Sequence, residues 1–303
     1  MSRLADAIRW LEVRLNRPLL PSPPDRAFWS LYQSGGAVLE QAPPTLEVAR
    51  GLQPDLLIGL TTYNRPESCD RILAALPELC TRAGRPLTVH VVVVKDAGGA
   101  GYDSVLQRVR DRLGDRLTWL DAREPLGKQG YWKTYQILLL TARQLHPAHM
   151  LFLQDDVEFS GTLLADCYAL FEGLASDPRR RVLYLCSAAD DEAEGRWVRF
   201  RRREVNDRVR LTQWFDLSAF FVDRAMLDLL RYRMIPVPQR RWRSKPYSSG
   251  VGEQLTRRLF RHGNVYQAMP SLVFHGGHPS EMNPEARVTR ALDNRPPAPG
   301  LPG

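Results

Sequence analysis

No uninterrupted apolar run in this sequence approaches the ~20 residues needed to cross a bilayer. The apolar stretch of a signal peptide is missing as well, because Arg9 and Glu12 interrupt the opening residues. A cytoplasmic protein is therefore expected, with peripheral contact at a membrane left open. Cysteine is scarce. The four residues Cys69, Cys80, Cys167 and Cys186 are too scattered for a disulfide framework and form none of the close pairs that build zinc sites. Buried free thiols are expected. Internal repeats are also absent. Acidic residues are the minority, 34 Asp+Glu against 42 Lys+Arg, a formal charge of +8. With 44% apolar and 25% charged residues over 303 positions, the chain has material for a packed core. That composition excludes a wholly disordered, collagen-like or coiled-coil protein. One large domain or two small ones would fit the length.

The excess positive charge is clustered. Arg196, Arg199, Arg201, Arg202, Arg203, Arg208 and Arg210 form one basic stretch, and Arg240, Arg241, Arg243 and Lys245 another. Trp197, Phe200, Trp214, Trp242 and Tyr247 interleave with them. Arginines fork onto phosphates and aromatic faces stack on sugars or bases, so an anionic partner suits these stretches. A phosphate-bearing small molecule, an acidic membrane surface and nucleic acid all qualify, and so does a merely solvated basic face.

Leu4, Ile8, Leu11 and Leu15 recur at helical spacing behind Ser2, which predicts an amphipathic helix at the front of the chain. Pro18, Pro21, Pro23 and Pro24 end it, and a second short helix is expected over residues 25–39 before Pro43 and Pro44. Residues 1–50 read as a helical appendage. From Asp55 onward short apolar runs alternate with helical patterns: strands at 56–60, 87–94, 117–120 and 150–153, helices at 67–79 and 104–113, and a loop entering a helix over 127–145. Later come a helix at 163–174, strands at 182–187 and 211–222, and helices at 224–231 and 252–261. Such alternation predicts an α/β fold with a mainly parallel sheet covered by helices on both faces. Ligands of open sheets of this kind sit beyond the carboxyl ends of the strands. A main domain of residues 51–278 is expected, followed by a Pro-rich tail, 279–303, that is disordered or wraps the surface.

The most informative feature is the acidic pair Asp155-Asp156 at the carboxyl end of the apolar run 150–153. Two adjacent carboxylates beside a buried strand repel each other and lose hydration, and a divalent cation, Mn2+ or Mg2+, compensates both. Such a cation keeps coordination sites for diphosphate oxygens, which suits nucleotide chemistry. Alternatively the pair caps the next helix. His275 and His278 flank two glycines after another apolar run. Neutral imidazole is a ligand for Mn2+, and glycine lets backbone approach a diphosphate.

Together these segments resemble the GT-A-type nucleotide-sugar glycosyltransferases, close to glycosyltransferase family 2, over residues 55–278. The run Ile58 to Pro66 is similar to the opening strand and loop that meet the nucleotide, which assigns Thr61, Thr62, Asn64 and Arg65 to the donor. Asp96 stands where such enzymes carry an acidic residue that contacts the base. Gly127, Lys128, Gly130 and Lys133 resemble the glycine-spaced entry to the helix beneath the donor. The resemblance makes Asp156 the metal ligand and Asp155 the ribose partner, with Gln154 departing from an acidic residue often found there. His275 looks like the C-terminal metal ligand, with His278 as its alternate. Residues 252–255 look like the motif that holds the catalytic base. There Gln254 replaces an acid and leaves Glu253 as the candidate, with Asp216 in reserve. The segment 248–250 places Glu253 in the first turn of a helix, where capping is its other role.

The resemblance implies a GT-A-like, Rossmann-like domain and a metal-dependent transfer of sugar from a nucleoside-diphosphate sugar, a UDP-sugar first. Inversion at the anomeric carbon is expected, with a glycan, lipid-linked molecule or protein as acceptor. The alternatives are a nucleotidyltransferase on a related sheet and a non-catalytic binder of RNA or anionic glycans. Nucleic acid is the less favoured partner.

Overall fold

The computed structural model describes residues 3–35, 53–186, 203–212, 217–237, 250–259 and 261–275, with His275 described by its backbone alone. The chain begins with helices α1 (Arg3–Leu15) and α2 (Asp25–Trp29) and strand β1 (Tyr32–Ser34). Then follow β2 (Leu56–Thr62), α3 (Pro66–Thr81), β3 (Val89–Lys95), α4 (Tyr102–Leu113), β4 (Leu117–Ala122), α5 (Gly127–Leu145) and β5 (His149–Gln154). The later elements are β6 (Val157–Phe159), α6 (Leu163–Gly173), β7 (Arg180–Tyr184), β8 (Arg203–Asn206), β9 (Val209–Thr212), β10 (Ala219–Asp223) and α7 (Arg224–Leu229). Helix α8 (Val251–Leu259) and strands β11 (Asn264–Ala268) and β12 (Val273–His275) complete them.

A ten-stranded sheet runs in the order β1-β4-β3-β2-β5-β10-β7-β11-β9-β8, and β12 and β6 form a small second sheet. The α/β expectation holds. The sheet is mixed but mostly parallel: β4, β3, β2 and β5 run side by side in one direction, β10 reverses, and β7 and β11 return to it.

Every residue of β2 is buried, which is what an unbroken apolar run in a parallel strand covered on both faces requires. Alternation divides its side chains. Leu56, Ile58 and Leu60 enter a core built with Ile72, Leu73 and Leu76 of α3, Val105 and Val109 of α4, and α6. Leu57 enters the opposite core with α2, α5, α7 and α8. Each fully buried leucine contributes about 2 kcal/mol relative to an exposed one. Gly59 marks a close approach: a Cβ there would meet Met150 Cε at 2.9 Å and Leu138 Cδ2 at 3.1 Å. Where the sheet reverses, Phe152 of β5 and Phe220 of β10 are direct partners and stack with centroids 4.3 Å apart.

Three expectations are corrected. The second helix ends at Trp29 rather than near 39, and Tyr32–Ser34 instead pairs antiparallel with β4 and extends the sheet edge. Phe28, Trp29 and Tyr32 are core residues, so this part of the front segment is built into the domain rather than appended to it. Second, the single strand read over 211–222 is two: β9 pairs with β11, whereas β10 lies between β5 and β7. Apolar content alone does not reveal that the chain changes place in the sheet between them. Third, α1 forms as expected, but Leu4, Leu11 and Leu15 are exposed while Asp6, Glu12 and Val13 are buried.

Among the described residues no helix is long and apolar enough to cross a membrane. Cys69, Cys167 and Cys186 are buried free thiols, and Cys80 is half-buried. The tail 279–303 lies outside the described residues.

Candidate active site

The carboxyl ends of β2, β3 and β5 are adjacent in the sheet, and the residues that follow them converge. After β2, Asn64 takes a left-handed conformation (φ 57°), which asparagine tolerates, and Pro66 then opens α3 with its φ already suited to a first helical position. After β5 the chain turns through Asp155-Asp156 into β6.

Asp155 ties the two loops together. Its Oδ2 accepts from the Thr62 hydroxyl at 2.8 Å and from the Tyr63 amide at 2.8 Å. The Tyr102 hydroxyl, from the start of α4, lies 2.6 Å from Thr62 Oγ1 and accepts the Arg65 amide at 2.8 Å. Asp156 is more open, with 24% of its side chain exposed, and the nearly buried Arg65 guanidinium stands 3.4 Å from its carboxylate. Thus Thr61, Thr62, Arg65, Asp155 and Asp156 are brought into one cluster.

Tyr131 of α5 is its third wall. The phenol accepts from Gln154 Nε2 at 2.7 Å and lies 3.3 Å from Thr61 Oγ1. Burial pushes its pKa up to about 12, so it stays a neutral hydrogen-bonding group at physiological pH. Gln154, where the resembled motif often has an acid, is bonded to this phenol. Tyr102 and Tyr131 were not singled out from the sequence. Their aromatic bodies read as ordinary core, and only the glycines that precede each, Gly98, Gly99 and Gly101 before Tyr102 and Gly127 and Gly130 before Tyr131, hint at more.

Asp96, just past β3, is buried and accepts three backbone amides. Ala97 N and Leu126 N bond its Oδ1 at 2.8 and 2.7 Å, and Gly127 N bonds its Oδ2 at 2.9 Å. Any contact with a base would share a carboxylate already committed to holding the entry of α5. Lys128 and Lys133 lie on the first two turns of that helix and are half-buried. Burial lowers the pKa of Lys128 below the usual lysine range.

Glu253 is in the first turn of α8 as expected, and its described partner is Arg257 one turn on, with Nη2 at 2.8 Å. Gln254 is buried and spends its whole amide on Ile235: its Oε1 accepts the Ile235 amide at 2.8 Å and its Nε2 donates to the Ile235 carbonyl. Glutamine suits this position because its amide donates and accepts at once, whereas an ionised carboxylate only accepts. Asp216 and His278 lie outside the described residues. For His275 the backbone is described: it pairs with Val157, the residue after Asp156.

Among the described residues no group of three His, Cys, Asp or Glu side chains is arranged to hold a metal ion. The residues nonetheless fit a hard cation in part. Asp156 presents a half-open carboxylate whose charge draws a guanidinium, and the β6–β12 pairing brings the backbone of His275 alongside the same turn. A cavity of about 600 Å3 lined by Leu76, Cys80, Leu87, Val89 and Leu113 opens at the opposite, amino end of β3 and takes no part in this cluster.

No protein-family model matches the sequence, and no curated protein does. Several solved structures are similar in chain path. One is a mannosyltransferase from Pyrobaculum calidifontis in complex with GDP-Man and Mn2+ (17% identity, TM-score 0.45, covering 71% of this chain and 55% of that one). Another is S. aureus TarS residues 1–349 (14% identity, TM-score 0.47, 74% and 60%). A third is the galactosyltransferase LgtC with donor and acceptor sugar analogs (13% identity, TM-score 0.42, 70% and 72%). The chain thus spans little more than half the length of the first two.

The buried acid has a pH signature. Desolvation, aided by the neighbouring Asp156 charge and opposed by the Tyr63 amide and Thr62 hydroxyl, raises the Asp155 pKa from 3.8 to about 6. The folded state therefore holds a proton that the unfolded chain has released between those values. Asp155 favours the fold fully below about pH 4 and ceases to do so as pH rises through about 6. In metal-free buffer, urea unfolding at pH 4.5 and 7.5 should show Asp155→Asn removing a pH-dependent loss of about 2 kcal/mol. An identical pH slope in wild type and variant would refute this. The asparagine oxygen can still accept both Oδ2 bonds.

Proposed function

We propose that the protein is a glycosyltransferase that binds a nucleoside-diphosphate sugar at the carboxyl ends of β2, β3 and β5. The observation that carries this reading is the Asp155-Asp156 turn, with one carboxylate buried as a brace and the other held beside Arg65 at the strand ends. In this reading Asp156, with His275 and His278, would hold Mn2+ or Mg2+. A bound divalent cation would neutralise charge on the departing diphosphate. Arg65 forks onto a phosphate as readily as onto a carboxylate, so it can turn from Asp156 to the donor. Asp155 Oδ2 is engaged by Thr62 and Tyr63, so the ribose contact falls to Oδ1. Thr61, Asn64, Asp96, Gly127, Lys128 and Lys133 line the donor side in the same scheme.

Glu253 serves as the base that takes the proton from the acceptor hydroxyl, with Asp216 in reserve, and the sugar is transferred with inversion. Arg257 orients the Glu253 carboxylate until an acceptor arrives. The test is incubation of the purified protein with UDP- and GDP-sugars and Mn2+, followed by product analysis. Free nucleoside diphosphate is expected. Pyrophosphate would indicate nucleotidyl transfer instead, and no turnover together with no nucleotide binding by calorimetry would overturn the reading. NMR of the anomeric configuration should report inversion; retention would remove Glu253 from its role.

A further inference from the structure

Helix α1 is turned inside out relative to an ordinary surface helix, which buries its apolar stripe. Leu4 is 70%, Trp10 42%, Leu11 38% and Leu15 45% exposed. The inner face carries Asp6 and Glu12 beside Val13 and is firmly anchored. Glu12 is fully buried and accepts from Arg9 Nη1 at 2.8 Å, Leu19 N at 2.7 Å and Leu20 N at 2.6 Å, which clamps the following segment to the helix. Asn16 donates to the Leu229 carbonyl of α7 at 2.8 Å and accepts from Arg258 of α8 at 2.7 Å. The outer orientation is therefore held by buried bonds to two other helices.

The outward face has one sign of charge. Arg3, Arg14 and Arg17 are exposed beside the apolar side chains, and Arg14 stacks over the Trp10 ring at 5.3 Å. Asp6 and Glu12, the acidic residues of α1, are both buried. A second copy of the helix packed on this face would bring like charges together with no carboxylate of α1 between them. An anionic lipid surface instead takes up both features, with leucines and an interfacial tryptophan entering the acyl boundary and arginines meeting the headgroups.

We propose that α1 docks the protein on an anionic lipid bilayer, lying in the plane of the interface. The contact is independent of the transferase reading. It places α8, the helix against which α1 packs and which carries Glu253, on the membrane-proximal side of the domain.

The test is co-sedimentation of the full chain with phosphatidylcholine vesicles, with and without phosphatidylglycerol. Binding to the anionic vesicles is expected to be at least about tenfold tighter and to weaken with added salt. Trp10→Ser/Leu11→Ser and, separately, Arg3→Glu/Arg14→Glu should each lower it by at least about tenfold with an unchanged circular dichroism spectrum. Three results would overturn the proposal: no binding by the wild type, equal binding by both variants, or a dimer in light scattering that the Trp10→Ser/Leu11→Ser change converts to monomer. The second would transfer the interaction to another basic surface, and the third would assign the face to a second copy.

Discussion

Asp156→Ala is expected to reduce donor turnover by about a thousandfold while leaving the fold intact. The residue sits in a turn with 24% of its side chain exposed, so its loss removes little packing. What it removes is charge at the point where a diphosphate would leave. A cation held there would supply several kcal/mol of transition-state stabilisation, and about 4 kcal/mol corresponds to about three powers of ten in rate. The Arg65 guanidinium loses the Asp156 carboxylate, 3.4 Å away, in the same step. Asp156→Asn keeps the shape and removes the charge, so it should fall nearly as far. Turnover assays paired with circular dichroism check this, and turnover within about threefold of wild type, well short of one 1.4 kcal/mol decade, would contradict the assigned role.

Gln254→Glu is expected to destabilise the protein by about 3 kcal/mol and to give no gain in activity. The substitution restores an acid where the resembled family carries one, so on motif grounds it should improve the site. The structure predicts the reverse. Gln254 is 4% exposed, and its amide closes on both backbone groups of Ile235. A glutamate keeps the acceptor but sets its second oxygen against the Ile235 carbonyl and buries a charge with no cation bonded to it. The same connection is laced from α5, where Gln136 accepts Met234 N at 2.7 Å and donates to the Tyr232 carbonyl at 3.1 Å. Loosening one lace therefore strains the other. Urea denaturation checks the stability, and an unchanged midpoint with raised turnover would show that position 254 carries the base.

The strands and helices from 55 to 153 and the helix at 163–174 were legible because each apolar run is short, uniform and bounded by breakers, although the short β6 between them was not. The acidic pair was legible because carboxylates beside such a run demand compensation. Other features depended on long-range partners. Tyr32–Ser34 becomes a strand only because β4 offers it an edge. Residues 203–206 are all exposed and charged or polar apart from Val205, so nothing local marks them as β8. Gln154 and Gln254 looked like lost acids, yet each owes its identity to a partner distant in sequence, Tyr131 or Ile235. The inverted α1 was unreadable for the same reason: helical spacing reports a stripe, and only Asn16 and Glu12 decide which way it faces.

The grip of Asp96 on the Leu126 and Gly127 amides bears on how phosphate could be recognised here. The first N–H groups of a helix ordinarily make an anion hole, drawing a phosphate by their aligned dipoles. In α5 that seat is filled from within by a carboxylate. A diphosphate arriving at this cleft would find those two amides taken and would meet cationic side chains such as Arg65 and Lys128 instead, so its capture would rest on side-chain charge rather than on that part of the backbone.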